Sequence, residues 1–169
     1  GLNRTLERTD SSNAWFYSLL SSDKPRSLEI GIERTTKLPT LFINQKMVSA
    51  GKSLGVGGLG FSMKAMSDMV SNFRFGQQGR VYLVRDDGRV MVHPQSELND
   101  QRELTQLVGE QAAASLLNDE AAVQNFSRDG EDFLALAQPL QSLDWLLISE
   151  VPEAEIYAEA RQALFKTSS

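Results

Sequence analysis

Cysteine is absent from this 169-residue chain, and histidine occurs once. The first absence excludes disulfides and thiolate metal sites and suits either side of a bacterial membrane. The second leaves no histidine cluster to hold a metal. No run of about 18 apolar residues occurs, and no stretch reads as a signal peptide. Lysine and arginine do not gather into a run, and the net charge of -5 argues against a general nucleic-acid binder. What is present is an ordinary globular balance, 41% hydrophobic and 23% charged, with enough length for one domain or two small ones. The chain begins at Gly1 without methionine and ends inside a helical pattern at Lys166. We therefore expect a piece of a longer protein, with any flanking membrane segments outside it.

Periodicity supplies the elements. Residues 10–20 read as a short helix with Trp15, Phe16, Leu19 and Leu20 as its apolar positions. Residues 28–32 (LEIGI) and 40–48 (TLFINQKMV) alternate in the strand manner and suggest an antiparallel hairpin, followed by a turn at 50–53 (AGKS) and a third strand from Leu54. Residues 63–73 are expected to be helical, with Met63, Met66, Met69, Val70 and Phe73 on one face. After the break at 75–79 (FGQQG), the Asp86-Asp87-Gly88 turn joins two β-rich runs. Residues 97–118 read as mostly helical. Strands are then expected from Ala122, Asp132 and Leu143, and a helix over 153–165 after Pro152. Consecutive hairpins imply an antiparallel five-stranded sheet beside helices, an α+β unit of the PAS-like kind, with a second, partial sheet before Met63.

Several chemical signatures fail on context. Gly55, Gly57 and Gly60 spell G-x-G-x-x-G. A dinucleotide fingerprint needs a strand before its first glycine and a helix at its third, and neither is found here. The expected role is a glycine-rich strand that another backbone or a helix approaches closely. Residues 51–53 (GKS) resemble the end of a phosphate-binding loop, but its first glycine would stand at Lys46. His93 has no partner for a metal or nucleophilic site, and Asp86, Asp87 and Asp129 are turn residues. Glu29 and Glu33 read as solvent-facing charges of an alternating strand. No enzyme constellation survives, and no cofactor is expected. The aromatic cluster Trp15-Phe16-Tyr17 reads as core or, with Arg34 and Asn44 of the hairpin, as the lining of a small pocket. Arginine would suit a carboxylate ligand, whose two oxygens its guanidinium can bind at once.

In order, the motifs are the AWFY helix at 14–17, the hairpin 40–63, FGQQGRVYLVRDDGRVMVHP at 75–94, DGEDFLALAQPL at 129–140 and LDWLLISEVPEAEI at 143–156. This set resembles the extracytoplasmic double Cache sensor domain of bacterial transmembrane receptors, over roughly residues 11–157. The resemblance implies two stacked PAS-like modules. Residues 1–62 would be the remainder of a membrane-distal module, 63–75 a connecting helix and 76–152 a membrane-proximal module. Residues 153–169 would begin a helix leading to a transmembrane segment. It further implies a periplasmic domain of an inner-membrane protein, a homodimer, a small ligand in the distal pocket and a signal passed down the last helix. Members that bind amino acids carry arginine where this chain has Asn13 and aspartate where it has Gly60. The resemblance therefore points away from amino acids and toward an organic acid, with Trp15, Tyr17, Arg34 and Asn44 as pocket residues. The glycine variant at 57–60 is similar to Cache domains attached to diguanylate cyclases and related output enzymes. A kinase, phosphatase or chemotaxis output is equally open, and the alternative is a dimerisation or protein-interaction module without a ligand.

Overall fold

A computed structural model describes residues 5–74, 76–118, 123–140 and 144–166. Phe75, Ala122 and Leu143, where three expected segments begin, lie outside the described residues, as do both chain ends. The chain forms two compact units, Gly1–Ser62 and Met63–Ser169. Both are α+β with antiparallel sheets, as the hairpin spacing implied.

The first unit holds helix α1 (Ala14–Ser21), preceded by a 3-10 turn, and strands β1 (Arg26–Ile32), β2 (Pro39–Ser49) and β3 (Lys52–Ser62) in the order β1-β2-β3. The turn expected at 50–53 is tighter, a two-residue hairpin loop at Ala50-Gly51, with Lys52 and Ser53 already in β3. Ser49 pairs with Lys52, and the two residues between them, Ala50 and Gly51, have φ of 49° and 72°. A two-residue hairpin loop with positive φ at both positions follows the right-handed twist of its strands. Glycine takes that conformation freely, whereas alanine does so under strain. Ala50→Asn should therefore raise stability by about 0.5–1 kcal/mol, read as a higher urea midpoint.

The second unit opens with α2 (Met63–Asn72) and continues through β4 (Arg80–Arg85), β5 (Val90–Val92), α3 (Leu104–Val108), α4 (Glu110–Asn118), β6 (Val123–Arg128), β7 (Glu131–Pro139), β8 (Trp145–Pro152) and α5 (Glu153–Lys166). Its sheet runs β5-β4-β8-β7-β6. Two expectations are corrected. The inward face of α2 is Met63, Ser67 and Val70, while Met69 and Phe73 are 61% and 62% exposed. The helical stretch 97–118 is broken, because Gly109 at φ 86° ends α3 and Glu103 and Gln106 form a reciprocal cap at its start.

The sheet face carrying Tyr82, Val84, Ala135, Ala137, Leu146 and Ile148 packs with α3 and α4 into a core. A buried polar network closes that core. Glu150 of β8, 1% exposed, accepts hydrogen bonds from Arg80 Nε at 2.5 Å, Arg128 Nη2 at 2.6 Å and the Tyr82 hydroxyl at 3.0 Å. The Arg128 guanidinium also lies over the Phe133 ring, 4.4 Å from its centroid.

His93, which the sequence leaves without a metal or nucleophilic partner, is fully buried with its ring centroid 5.2 Å from that of Tyr82. Its Nδ1 accepts the Gln95 N–H at 3.0 Å, and Nε2 has no hydrogen-bond partner among the described residues. Burial, with the nearby Arg80 and Arg128 cations outweighing Glu150, lowers its pKa to about 4 from 6.5. The unfolded chain therefore binds the proton first. This contribution to stability is complete above pH 6.5 and is lost as pH falls toward 4. The single imidazole resonance should titrate with a midpoint of about 4; a midpoint near 6.5 would contradict the buried neutral ring.

Candidate functional site

The first unit contains an open cleft of about 620 Å³. Strand register builds its floor, because residues directly paired across antiparallel strands project to the same face. One row is Ser27–Asn44–Gly58, the next is Glu29–Phe42–Gly60, and the third is Gly31–Thr40–Ser62. Asn44 and Phe42 thus stand side by side on β2 with glycines on β3 opposite them.

The glycines have a steric explanation. A Cβ on Gly58 would sit 2.6 Å from Asn44 Oδ1, one on Gly60 would meet Thr40 at 3.1 Å, and one on Gly31 would touch the Phe42 ring at 3.4 Å. What approaches these positions is the side chains of β2, rather than the backbone or helix expected from sequence. None of the three has a positive φ, so space, not backbone freedom, requires glycine there.

Of the four residues singled out in the sequence, Trp15, Arg34 and Asn44 line the cleft. Asn44 is 4% exposed, with Nδ2 at 3.5 Å from Ser27 Oγ, and Arg34 is exposed just beyond β1. Tyr17 is not among the lining residues. Two positions along a helix is a rotation of about 200°, which turns it away from the side that Trp15 takes. Its hydroxyl donates to the Leu6 carbonyl at 2.5 Å, and Arg8 lies over its ring at 4.8 Å. Tyr17 therefore fastens Leu6, which itself lines the cleft.

Four further residues line the cleft: Glu29 and Glu33, which the alternating pattern assigns to solvent, Phe42, and Asn13, which enters the sequence argument only as a missing arginine. Asn13 is 2% exposed, and its Nδ2 donates to the Glu7 carbonyl at 3.1 Å. Glu33 accepts the backbone N–H groups of Thr35 at 3.0 Å and Thr36 at 2.5 Å, which lower its pKa to about 2. It therefore stays ionised throughout the physiological range. Glu29 is exposed on the floor in the same row as Gly60. The cleft combines an apolar wall, one cation, two carboxylates and two side-chain amides. That set can bind and orient a small charged molecule, and it contains no nucleophile paired with a base.

Residues 3–160 match the family model described as a Cache domain. The chain belongs to the Cache domain family. A region of 84 residues is 27% identical to the methyl-accepting chemotaxis protein McpG of Pseudomonas putida, covering 50% of this chain and 13% of that protein. The ligand-binding domain of the Pseudomonas fluorescens chemoreceptor CtaA, solved with L-serine, superposes with a TM-score of 0.66 at 22% identity, over 90% of this chain and 66% of the other. The extracellular domain of the putative histidine kinase mmHK1S-Z3 gives a TM-score of 0.71 at 20% identity, over 93% of this chain and 59% of the other. This chain thus spans a fraction of the length of its relatives. As a Cache domain it is a ligand-sensing, non-enzymatic module of the extracytoplasmic kind. Among the described residues, no helix is long and apolar enough to cross a membrane.

Proposed function

We propose that the first unit's cleft binds a small organic acid and that the domain passes this binding to the cytoplasmic output of a membrane receptor. The observation that carries the reading is the convergence of Trp15, Arg34 and Asn44 on one cleft. Arg34 supplies the charge for a carboxylate, Asn44 a directional amide and Trp15 an apolar wall. In this reading Gly1–Ser62 is the membrane-distal module, and the unit from Met63 holds the connecting helix, the membrane-proximal module and, in α5, the helix toward the membrane.

Amino acids return to the candidate class. Their exclusion rested on an arginine missing at Asn13 and an aspartate missing at Gly60; Arg34 lines the same cleft as Asn13, and Glu29, in the row of Gly60, brings a carboxylate to that part of the floor for a ligand ammonium. CtaA is solved with L-serine, L-alanine, L-leucine and L-isoleucine, and Mlp24 with asparagine, which agrees with this widening. The output is a chemotaxis, kinase, phosphatase or diguanylate cyclase module. A homodimer is part of the proposal, since α5 exposes Tyr157, Leu164 and Phe165 by 59%, 71% and 79%.

Thermal unfolding against amino acids and small carboxylates tests the ligand. A bound compound at about 100 times its Kd adds about 2.7 kcal/mol, or roughly 5–10 °C in Tm. If no compound of either class raises Tm, the ligand reading fails and the interaction-module alternative stands.

A further inference from the structure

We infer that Gly58 is a positioning residue for Asn44, and that the Asn44 amide it frees selects ligands carrying an N–H donor. The inference rests on the cleft being the ligand site. Asn44 lies in the middle of the row Ser27–Asn44–Gly58. Its Nδ2 faces Ser27 Oγ at 3.5 Å, and its Oδ1 lies over the bare Cα of Gly58, 2.6 Å from where a Cβ would be. With Nδ2 directed along the row toward β1, the atom left for a ligand is Oδ1, an acceptor. A ligand ammonium or amide N–H satisfies it, whereas a second carboxylate would set oxygen against oxygen.

The seat exists only because position 58 has no side chain. Real Cβ atoms do not sit 2.6 Å from an oxygen, so any other residue there moves the Asn44 amide. Gly58 has no positive φ, and its backbone accepts an L-residue; the side chain of Asn44 therefore absorbs the change, not the strand. The next glycine is a built-in control. Gly57 projects to the opposite sheet face, is not among the lining residues, and its Cβ would meet Met47 Sδ at an ordinary 3.8 Å.

Two measurements on the 169-residue chain decide the matter. The first needs no ligand: the Asn44 side-chain N–H₂ resonances should move in Gly58→Ala and stay in Gly57→Ala. Unmoved resonances in Gly58→Ala overturn the positioning role, whatever the ligand. The second uses L-alanine and propionate, which differ by the amino group. Wild type and Gly57→Ala should bind L-alanine at least about tenfold more tightly than propionate, the worth of one charge-assisted hydrogen bond. Gly58→Ala should lose about tenfold of that preference, the share of Asn44, and any remainder belongs to Glu29. In an Asn44→Ala background, adding Gly58→Ala should change L-alanine affinity less than about twofold, because the two substitutions remove one interaction. Equal affinity for both probes in wild type, or a full Gly58→Ala effect without Asn44, overturns the selectivity claim. Failure of both probes to bind wild type overturns it too and counts against the ligand reading, while the resonance test still judges the positioning role.

Discussion

Glu150→Leu should destabilise the second unit by about 3–5 kcal/mol, the largest loss expected from any single substitution considered for this domain. The carboxylate is 1% exposed and holds two guanidiniums and one phenol at once, from β4 and β6 on either side of β8. Removing it leaves Arg80 and Arg128, with side chains 29% and 23% exposed, like-charged and unpaired beside an apolar core. The Tyr82 hydroxyl loses its acceptor as well; its pKa is held well above the usual range by burial and by Glu150. The same logic gives a second arm. Replacing Arg80, Arg128 and Glu150 together with apolar residues of similar size should recover most of the loss, because no charge is then stranded. Urea unfolding followed at Trp145, in a Trp15→Phe background so that only the second unit reports, measures both. A Glu150→Leu loss below about 1 kcal/mol would mean that the network is solvated, as exposed ion pairs are.

Arg34→Ala should weaken binding of a carboxylate ligand by about 10–100-fold while leaving the unfolding midpoint nearly unchanged. A hydrogen bond to a charged group is worth about 1.5–3 kcal/mol, and a bidentate guanidinium–carboxylate pair stands at the upper end. Arg34 is exposed beyond the end of β1, so its loss opens no cavity. Arg34→Lys keeps the charge and loses the fork, and should recover only part of the affinity. Isothermal titration across the three forms separates these terms. Equal affinity in all three would remove Arg34 from the site.

The elements were legible where local chemistry decides them. Asp86-Asp87-Gly88 announces a hairpin because the chain needs φ of 96° at Gly88, and β8 reads as a strand from its apolar run alone. Faces were harder. Met69 and Phe73 have the right spacing and polarity to be inside α2, yet they are exposed, while the small polar Ser67 is 1% exposed and accepts a hydrogen bond from Asn99 at 2.7 Å. The cleft shows the same limit. Trp15, Arg34 and Asn44 were chosen for residue chemistry, which a sequence displays. Glu29 was set aside as solvent-facing because its neighbours depend on the register that places it opposite Phe42 and two strands from Gly60. Register is a property of pairing, and no single strand contains it. The glycines of β3 read correctly as part of a strand, but what requires them, the side chains of β2, is again a matter of pairing.

The central claim is that the cleft of the first unit is where this Cache domain meets its ligand. The most direct measurement is a titration of the ¹⁵N-labelled chain with the compound that raises Tm most, followed residue by residue. The expected result is that the Trp15 indole N–H, the Asn44 side-chain amide and the Gly58 and Gly60 backbone amides shift together and saturate at one Kd. Saturable shifts confined to residues of the second unit, with those four signals unmoved, would contradict it.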